Sequence, residues 1–276
     1  MGRATWDAVA RLPLRVLPPA QLGAGRARRL IERNARVARS TWWVLVSGLG
    51  EPVFYLLSIG IGLGKLVGPM PAPGGGEIPY AAFVAPGLLA ASAMNGAIYE
   101  STFNVFFKLK YAKVYDAVLA TPLQAADVAL GEITTALVRG TLYAGVFIAM
   151  MAALGDILSP WAVLALPAAM LVGAAFAACG MAATTYMRGW TDFDLIQLVM
   201  LPLFLFSTTF YPLSVYPRWL QVVVQLTPLY QGVTLERGLT LGHLAPAMAV
   251  NVGYLAAMAA VGLAVASRRV RALLLH

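Results

Sequence analysis

The sequence predicts an all-α integral membrane protein with six transmembrane helices. It also predicts an N-terminal amphipathic interfacial helix and an outer-face re-entrant helical hairpin between helices 5 and 6. Of the 276 residues, 60% are hydrophobic and 12% are charged, whereas soluble domains average about 25% charged residues. The apolar runs are continuous and do not alternate with a period of two, which indicates helices rather than strands of a membrane barrel.

Six apolar runs are long enough to cross the hydrocarbon core of a bilayer, which takes about 20 helical residues. These runs are residues 42–67, 80–107, 125–154, 161–187, 195–213 and 246–266. They divide the chain into a cytoplasmic Arg-rich tail with the amphipathic helix (1–41), a six-helix transmembrane domain (42–266) and a cytoplasmic C-terminal tail (267–276).

The lysines and arginines outside the spans fall mostly on one side of the predicted membrane. Sixteen lie in the two tails and in the connections after the second and fourth spans, whereas the other side holds Lys65, Arg218 and Arg237. Because cation-rich loops stay cytoplasmic, we expect a multi-pass protein of the plasma (cytoplasmic) membrane with both termini cytoplasmic. The net charge of +8 follows from this topology, so we expect a lipid bilayer and no nucleic acid as a partner.

Two cytoplasmic segments are candidates for docking a soluble partner. Residues 26–40 place apolar residues on one helical face, and Arg29 and Arg33 belong to the charged remainder. After the second span, Thr121 and Pro122 fit the N-cap and first position of a helix. The alternatives are arginines that only enforce topology and a simple solvated loop.

The segment after the fifth span is apolar and aromatic, but residues 217–227 reach only about half the length that a crossing needs. A second short helix is expected around residues 233–239, with Glu236 and Arg237. We therefore expect a re-entrant hairpin on the outer face. Residues 68–77 are expected to form an exposed outer loop, and Thr191, Asp192 and Asp194 are expected to cap the fifth span.

The sequence offers no support for an enzyme. Gly60, Gly62, Gly64 and Lys65 resemble part of a phosphate-binding loop, but one glycine and the following Ser or Thr of that motif are missing. The chain has two histidines and one cysteine, with no spacing typical of a metal site. We expect no cofactor bound by this chain.

Charged residues within the predicted spans are rare and therefore informative. Glu132 and Arg139 are seven residues apart, on one face of the third helix; they either form ion pairs with neighbouring helices or act in gating or substrate contact. Glu100 either contacts a polar substrate or pairs with Arg139. The fifth span combines aromatic residues with Ser and Thr, which suits a pathway for an amphiphile, although helix packing is the favoured role for Phe204 and Phe206.

Four motifs carry a resemblance to a known family across most of residues 40–240. They are EPVFYLLSIGIGLG from Glu51, YAAFVAPGLLAASAM from Tyr80, YDAVLATPLQAADVALGE from Tyr115 and FSTTFYPLSVYPRWLQVVVQLTPLYQGVTLERGL from Phe206. The chain resembles permease subunits of the type-two class of ABC exporters, above all the nodulation-factor export permeases and the daunorubicin-resistance permease group. Thr208 departs from this pattern, because relatives commonly carry a small residue such as Gly there.

The resemblance implies a permease subunit that pairs with a second permease copy and with a separate ABC ATPase, which binds ATP and Mg²⁺. It places the ATPase contact at these residues: Arg29, Arg33, Val114, Tyr115, Asp116, Leu119, Thr121 and Pro122. It places the substrate pathway between the two copies, and the residues expected there are Met94, Asn95, Phe206, Thr209 and Phe210.

The expected function is ATP-driven export of an amphiphile, such as a drug, a lipid or a lipo-oligosaccharide, from the cytoplasm or the inner leaflet. Two alternatives stay open. A secondary transporter predicts internal repeats and ion sites at the membrane centre. A membrane assembly scaffold predicts no ATPase partner.

Overall fold

The computed structural model describes residue 50 and residues 53–72, 75–111 and 125–274. The predicted N-terminal helix and the segment after the second helix lie outside these residues. The roles expected there stay predictions for Arg29, Arg33, Val114, Tyr115, Asp116, Leu119, Thr121 and Pro122.

The described part of the chain is a bundle of helices with one small β-hairpin. We number the helices α1 (Val53–Val67), α2 (Tyr80–Lys110), α3 (Ala125–Leu154), α4 (Pro160–Thr184), α5 (Asp192–Leu205), α6 (Arg218–Gln225), α7 (Pro228–Leu241) and α8 (Ala247–Leu274). Two short strands, β1 (Met70–Pro71) and β2 (Glu77–Ile78), pair antiparallel with Met70 opposite Ile78. This hairpin stands where the sequence predicted an irregular outer loop.

Four of the described helices are long and apolar enough to cross a membrane: Tyr80–Lys110, Leu130–Leu154, Pro160–Thr184 and Ala247–Ala272. This agrees with the all-α membrane class predicted from hydropathy. The six-span count is not confirmed, because the first predicted span is described only in its second half and α5 has 14 residues.

The ends of the bundle differ in charge. Lys108 and Lys110 at the end of α2 lie at the same end as Arg188 and the end of α8, where Arg269 stacks over the ring of Tyr186 with 4.1 Å between its guanidinium carbon and the ring centre. We call this the basic end. The other end, called the far end, holds the β-hairpin and the junction where the Leu158 N–H donates to the Thr240 carbonyl at 3.0 Å.

Helix α2 is the central element of the fold. Buried residues make up 72% of its most apolar stretch, against 17% for the corresponding stretches of α3 and α8. It packs against α1, α3, α4 and α7. The alanines and glycines in this helix allow neighbouring backbones to approach closely, which is how helices associate in membranes, where burying apolar surface gives little driving force.

Helix α2 is not uniformly α-helical. Pro86 lies inside it and lacks the N–H that would complete an intrahelical hydrogen bond. Residues Glu100–Asn104 form a π-helical segment before the α-helix resumes at Val105. Such widened turns occur mostly as single insertions, often at functional sites. In this chain the π-helical segment begins at a charged residue, Glu100.

The fifth predicted span, residues 195–213, is interrupted. Helix α5 ends at Leu205, and Thr208 has a φ of 62°, a left-handed conformation incompatible with a helix. The Ser207 hydroxyl donates to the Phe204 carbonyl at 2.7 Å, so a side chain takes part in ending the helix. We call residues 206–212 the α5 break. The prediction of a continuous helix to Leu213 is therefore wrong.

Two short helices follow the break, with bounds that differ from the expected ones, and the re-entrant hairpin itself stays a prediction. Helix α6 spans Arg218–Gln225, and α7 spans Pro228–Leu241 instead of the expected 233–239. Pro228 stands at the first position of α7, where its missing N–H has no cost. Gly242 ends the helix with a φ of 81°. Most of α7 is buried, against α2, α4 and α8.

Helices α4 and α8 make the most extensive helix pairing in the bundle, and Gly262 permits it. A Cβ at Gly262 would lie 2.9 Å from the backbone carbon of Ala178 and from the backbone nitrogen of Cys179. Gly253, on the same helix, has nothing within 4 Å of its would-be Cβ. The two glycines therefore separate the packing effect of a methyl group from its effect on helix propensity.

Gly262→Ala should destabilise the protein by about 1–3 kcal/mol, because the new methyl group forces α8 away from α4. Gly253→Ala is the matched control and should be neutral or stabilising by up to about 1 kcal/mol, as expected for alanine in an open helical position. Thermal unfolding of the two variants in detergent, followed by size-exclusion chromatography, makes the comparison. Equal midpoints would contradict the close approach at Gly262.

Candidate functional site

A half-open cavity of about 490 Å³ lies between α1, α2, α3 and α5, in the half of the bundle nearer the basic end, and its lining includes the exposed side chains of Tyr99 and Leu201. Its walls combine aromatic and aliphatic surface with polar side chains. The aromatic residues that line it are Tyr55, Tyr99, Phe103, Tyr143, Phe193 and Phe204. A site of this mixed character is typical for a ligand that carries both apolar and polar groups.

A second, larger space of about 590 Å³ is an open groove at the far end, beside the β-hairpin. Backbone and glycine make up much of its lining, and its charged residues are Lys65 and Glu77. Few polar side chains converge there. The cavity between the helices is therefore the better candidate for a binding site, although it is smaller.

The aromatic wall of the cavity is held by ring contacts between helices. The rings of Phe103 on α2 and Phe193 on α5 stack with centroids 4.0 Å apart, and Tyr99 stacks on Phe103 at 4.9 Å. At the other end of α5, the ring of Phe204 contacts the edge of Tyr55 on α1 at 6.3 Å. These contacts join α1, α2 and α5 around the cavity.

One ion pair forms the charged part of the lining. The Nη1 of Arg139 on α3 donates to Oε2 of Glu100 on α2 at 2.6 Å. The side-chain amide of Asn104, one turn further along the π-helical segment, donates to Oε1 of Glu100. Both carboxylate oxygens of Glu100 therefore accept hydrogen bonds. Pairing with Arg139, one of the two alternatives for Glu100 from the sequence, is the arrangement in the structure.

A second ion pair joins the same two helices nearer the basic end. The Nζ of Lys108 lies 2.7 Å from Oε2 of Glu132, and the Oε1 of Glu132 has no hydrogen-bond partner among the described residues. Glu132 and Arg139 lie two turns apart on α3, so one face of α3 carries both pairs toward α2. The sequence placed Lys108 in a cytoplasmic loop, whereas the structure extends α2 through it to Lys110.

The expected pathway residues do not come together in this cavity. Asn95 lines it. Met94, the next residue on α2, points into the core and is 0% exposed, and Thr209 is also 0% exposed. Phe206 is 39% exposed outside the cavity, and Phe210 packs its ring against Phe204 at 5.3 Å. For all five residues, Asn95 included, contact with a substrate stays a prediction.

Sequence reasoning missed several residues of the lining. Gln197 is the single amide in the apolar stretch of α5, and this isolation was a usable signal that we did not weigh. Phe204 was assigned to packing in the same stretch, and it lines the cavity. Tyr55 and Tyr143 carried no such signal, because a tyrosine in an apolar helix is equally common at the membrane interface.

The α5 break is held by a buried arginine from α7. The Nη2 of Arg237 donates to the Thr208 carbonyl at 2.8 Å and to the Thr209 carbonyl at 3.5 Å, and its Nε donates to the Phe83 carbonyl at 3.2 Å. The guanidinium also lies over the Phe83 ring, 4.0 Å from its centre. The sequence counted Arg237 as an outer-side topology cation, and the structure corrects this, because Arg237 is buried inside the bundle.

The break also fits tightly against α2. A Cβ at Gly87 would lie 2.9 Å from the Cα of Thr209, so only glycine leaves room for the break at that position. The hydroxyls of Ser207 and Thr209 lie 2.7 Å apart, and both residues are buried. Glu236, beside Arg237 in sequence, is buried, and neither of its carboxylate oxygens has a hydrogen-bond partner in the described part of the chain.

The start of α5 at the basic end differs from the predicted cap. Thr191 makes no side-chain capping hydrogen bond. Asp192 makes the side-chain hydrogen bonds instead. Its Oδ2 accepts one from the N–H of Arg188 at 2.6 Å and one from the N–H of Gly189 at 3.3 Å. These two hydrogen bonds hold the pKa of Asp192 below its usual value. The carboxylate thus closes the turn that leads into α5, where the ring of Trp190 packs against Phe193.

Comparison with known proteins assigns the chain to a family. The sequence model of the ABC-2 type transporter family matches residues 26–241, from before α1 to the end of α7. The chain belongs to the ABC-2 type transporter family. This confirms the resemblance inferred from the four motifs, and it agrees with a transport subunit of the membrane rather than a catalytic subunit.

Curated relatives of this ABC-2 transporter chain are similar over most of their length. Nodulation protein J of Rhizobium leguminosarum bv. trifolii is 33% identical over 214 residues, which cover 76% of this chain and 79% of the relative. Nodulation protein J of Bradyrhizobium diazoefficiens is 32% identical with the same coverage, and that of Rhizobium meliloti (strain 1021) is 30% identical over 221 residues, 79% of this chain and 81% of the relative.

The left-handed Thr208 yields a stability prediction for this ABC-2 chain. A non-glycine residue in this conformation costs about 1–2 kcal/mol, so Thr208→Gly should be more stable than Thr208→Ala by about that amount. At Thr209, where φ is not positive, Thr209→Ala should be more stable than Thr209→Gly. The reason is that glycine gives the unfolded chain more conformational freedom, which folding must remove. Unfolding midpoints of the four variants in detergent test this. Alanine outranking glycine at both positions would contradict the strained backbone at Thr208.

Proposed function

We propose that this chain is the transmembrane permease subunit of an ATP-driven ABC exporter that moves an amphiphile from the cytoplasm or inner leaflet outward. The observation that carries the proposal is the half-open cavity of an ABC-2 family chain, whose lining combines aromatic rings with polar side chains and one ion pair. Aromatic rings suit an acyl or polycyclic portion of a substrate. The side chains of Asn95 and Gln197 and the N–H groups of Arg139 beyond the one given to Glu100 suit a polar head group.

In this proposal the chain crosses the membrane six times, with the basic end and both termini in the cytoplasm. Helix α5 enters from the cytoplasm, the α5 break completes its crossing, and α6 and α7 form the re-entrant hairpin. Irregular backbone is tolerated at membrane depth only where protein covers it. The burial of Ser207, Thr208 and Thr209 and the Arg237 hydrogen bonds to their carbonyls support this arrangement.

Energy is proposed to come from a separate ABC ATPase that binds ATP and Mg²⁺ and docks on the segment after α2 and on the N-terminal helix. The last turns of α2 support a mechanical link between the ATPase and the cavity. The helix runs from Lys110, four residues before the expected docking segment, past the pair of Lys108 with Glu132, to the cavity residue Glu100. A displacement of the docking segment therefore acts on the cavity through one helix.

A second permease copy is proposed to complete the pathway. Helix α5 presents apolar side chains to the outside of the single chain, including Leu195, Leu198, Val199 and Leu201, each at least 60% exposed. Such a surface faces either lipid or another copy. The pathway residues expected from the resemblance, Phe206 among them, extend this surface toward the far end.

The topology proposal predicts the location of two reporters. A reporter inserted after Gly74 should be periplasmic or extracellular, and one fused to His276 should be cytoplasmic, because cation-rich segments are retained inside. Paired phosphatase and fluorescent-protein fusions measure both locations in whole cells. Two reporters on the same side would rule out the five crossings expected after residue 74, and with them the six-span arrangement.

The docking proposal predicts uncoupling by a change in the segment after α2. The double variant Thr121→Ala with Pro122→Gly removes a predicted helix start at a cost of about 1–2 kcal/mol. Amphiphile-stimulated ATP hydrolysis by the complex with its ATPase should fall, while the amount of folded permease in the membrane stays unchanged. The permease purified alone should hydrolyse no ATP.

The chain contains a matched control for this variant. Thr227 and Pro228 form a second Thr–Pro helix start, at the beginning of α7 and away from the expected ATPase surface. Thr227→Ala with Pro228→Gly should leave ATPase association intact, as judged by co-purification. If the two double variants reduce ATPase association equally, the segment after α2 is not the docking site. If no ABC ATPase associates with the wild-type chain, a secondary transporter or a membrane scaffold replaces the exporter proposal.

A further inference from the structure

The ion pair in the cavity has a consequence for what can bind there, on the assumption that the cavity is the substrate site of the proposed exporter. Among the described residues that line the cavity, Glu100 and Arg139 are the two with ionisable acidic or basic side chains. They lie 2.6 Å apart, and their side chains are 5% and 21% exposed. The lining therefore carries one positive and one negative charge in direct contact, and its net charge is zero.

Both partners of the pair are constrained. The second oxygen of Glu100 accepts from Asn104, which holds the carboxylate on the π-helical segment of α2. Arg139 is anchored on α3, and its guanidinium has further N–H groups beyond the one given to Glu100. The pair thus offers hydrogen-bond donors to a ligand, but it offers neither an unmatched positive charge nor an unmatched negative charge.

A charged head group in this cavity meets a specific difficulty. An anion would leave the cavity with a net negative charge, unless it displaced Glu100 from Arg139 and left that carboxylate unpaired. A cation would leave a net positive charge or leave Arg139 unpaired. The side chains of Glu100 and Arg139 are themselves 5% and 21% exposed, and an uncompensated charge beside such partly buried groups at membrane depth is unfavourable. A head group without net charge accepts hydrogen bonds from Arg139 and the amides of Asn95 and Gln197 with no such cost.

We propose that the Glu100–Arg139 pair sets the charge selectivity of the cavity, and that the transported amphiphile has an uncharged, hydrogen-bonding head group. The pair acts as a charge filter: each member cancels the attraction that the other alone would exert on an ion. Removing one member of the pair leaves the cavity with a net charge, which favours ligands of the opposite charge. This makes the pair a specificity determinant in addition to a link between α2 and α3.

The test uses the intact complex with its ATPase in nanodiscs and three lipids that share one fluorescent acyl chain. Their head groups are glucosyl (uncharged), phosphate (anionic) and trimethylammonium (cationic). Binding is measured by fluorescence titration and transport coupling by stimulated ATP hydrolysis. The wild-type complex should prefer the glucosyl lipid over both charged lipids by about tenfold in affinity, a difference of about 1.4 kcal/mol.

Neutralising Glu100 or Arg139 alone should change the order of preference among the three lipids, toward the anionic lipid in one case and the cationic lipid in the other. Glu100→Gln leaves Arg139 unmatched and should make the phosphate lipid the preferred ligand. Arg139→Gln leaves Glu100 unmatched and should favour the trimethylammonium lipid. The double variant restores zero net charge and should return the preference to the glucosyl lipid. That rescue separates charge selection from simple damage to the fold, because the double variant disturbs the packing at both positions.

The second ion pair supplies the matched control. Lys108 and Glu132 also join α2 to α3 but do not line the cavity. Glu132→Gln and Lys108→Gln should therefore leave the head-group order unchanged, even if they lower thermal stability. A shift of preference in these variants equal to the shift at Glu100 would overturn the proposal, since it would be a long-range effect of net charge.

The failure of this inference is distinguishable from failure of the exporter proposal. If the glucosyl lipid binds and stimulates ATP hydrolysis but Glu100→Gln and Arg139→Gln keep the wild-type order, the exporter proposal stands and the charge filter is overturned. A wild-type complex that prefers the phosphate lipid also overturns the filter. If none of the three lipids binds or stimulates hydrolysis, both proposals fail together.

Discussion

The hydrogen bonds from Arg237 to the backbone of the α5 break are the interaction on which the far half of the bundle depends. A helix that ends inside an apolar bundle leaves carbonyl groups without partners, and each such group is costly away from water. Arg237 supplies donors to the Thr208 carbonyl on the break and to the Phe83 carbonyl on α2. One buried side chain from α7 therefore fixes the relative positions of α2, the break and α7.

The position of the break in turn shapes the cavity. Because α5 ends at Leu205, its last turn places Phe204 against Tyr55 on one side and Phe210 on the other. The break itself turns away from the cavity and packs on Gly87. Two sets of charged contacts thus act on opposite ends of α2: Arg237 holds the far end, and the pairs with Arg139 and Glu132 hold the part nearer the basic end. The cavity lies beside the stretch of α2 between them.

Hydropathy predicted the first and last residues of a helix closely where those ends depend on the helix's own amino-acid composition. The apolar runs 80–107 and 125–154 agree closely with α2 (Tyr80–Lys110) and α3 (Ala125–Leu154), because continuous apolar residues require a helix in a membrane. The end of α5 was mispredicted, since the break depends on Arg237, about 30 residues further along the chain. The site was predictable only in part. Asn95, Glu100 and Arg139 were recognisable as isolated polar residues in apolar helices, but Tyr55 and Tyr143 join the cavity through the packing of helices.

The π-helical segment connects the proposed source of energy to the charged pair. A widened turn has poorer hydrogen bonding than an α-helix, so it is a place where a long helix can change its winding at low cost. Glu100 begins this segment and Asn104 ends it. If an ATPase moves the chain that follows α2, the shift reaches the segment through Val105–Lys110, while Lys108 holds the helix to α3 through Glu132. A change of winding there acts directly on the distance between Glu100 and Arg139, because Glu100 lies within the π-helical segment. The same pair that keeps the cavity neutral is thus the contact most exposed to motion from the basic end.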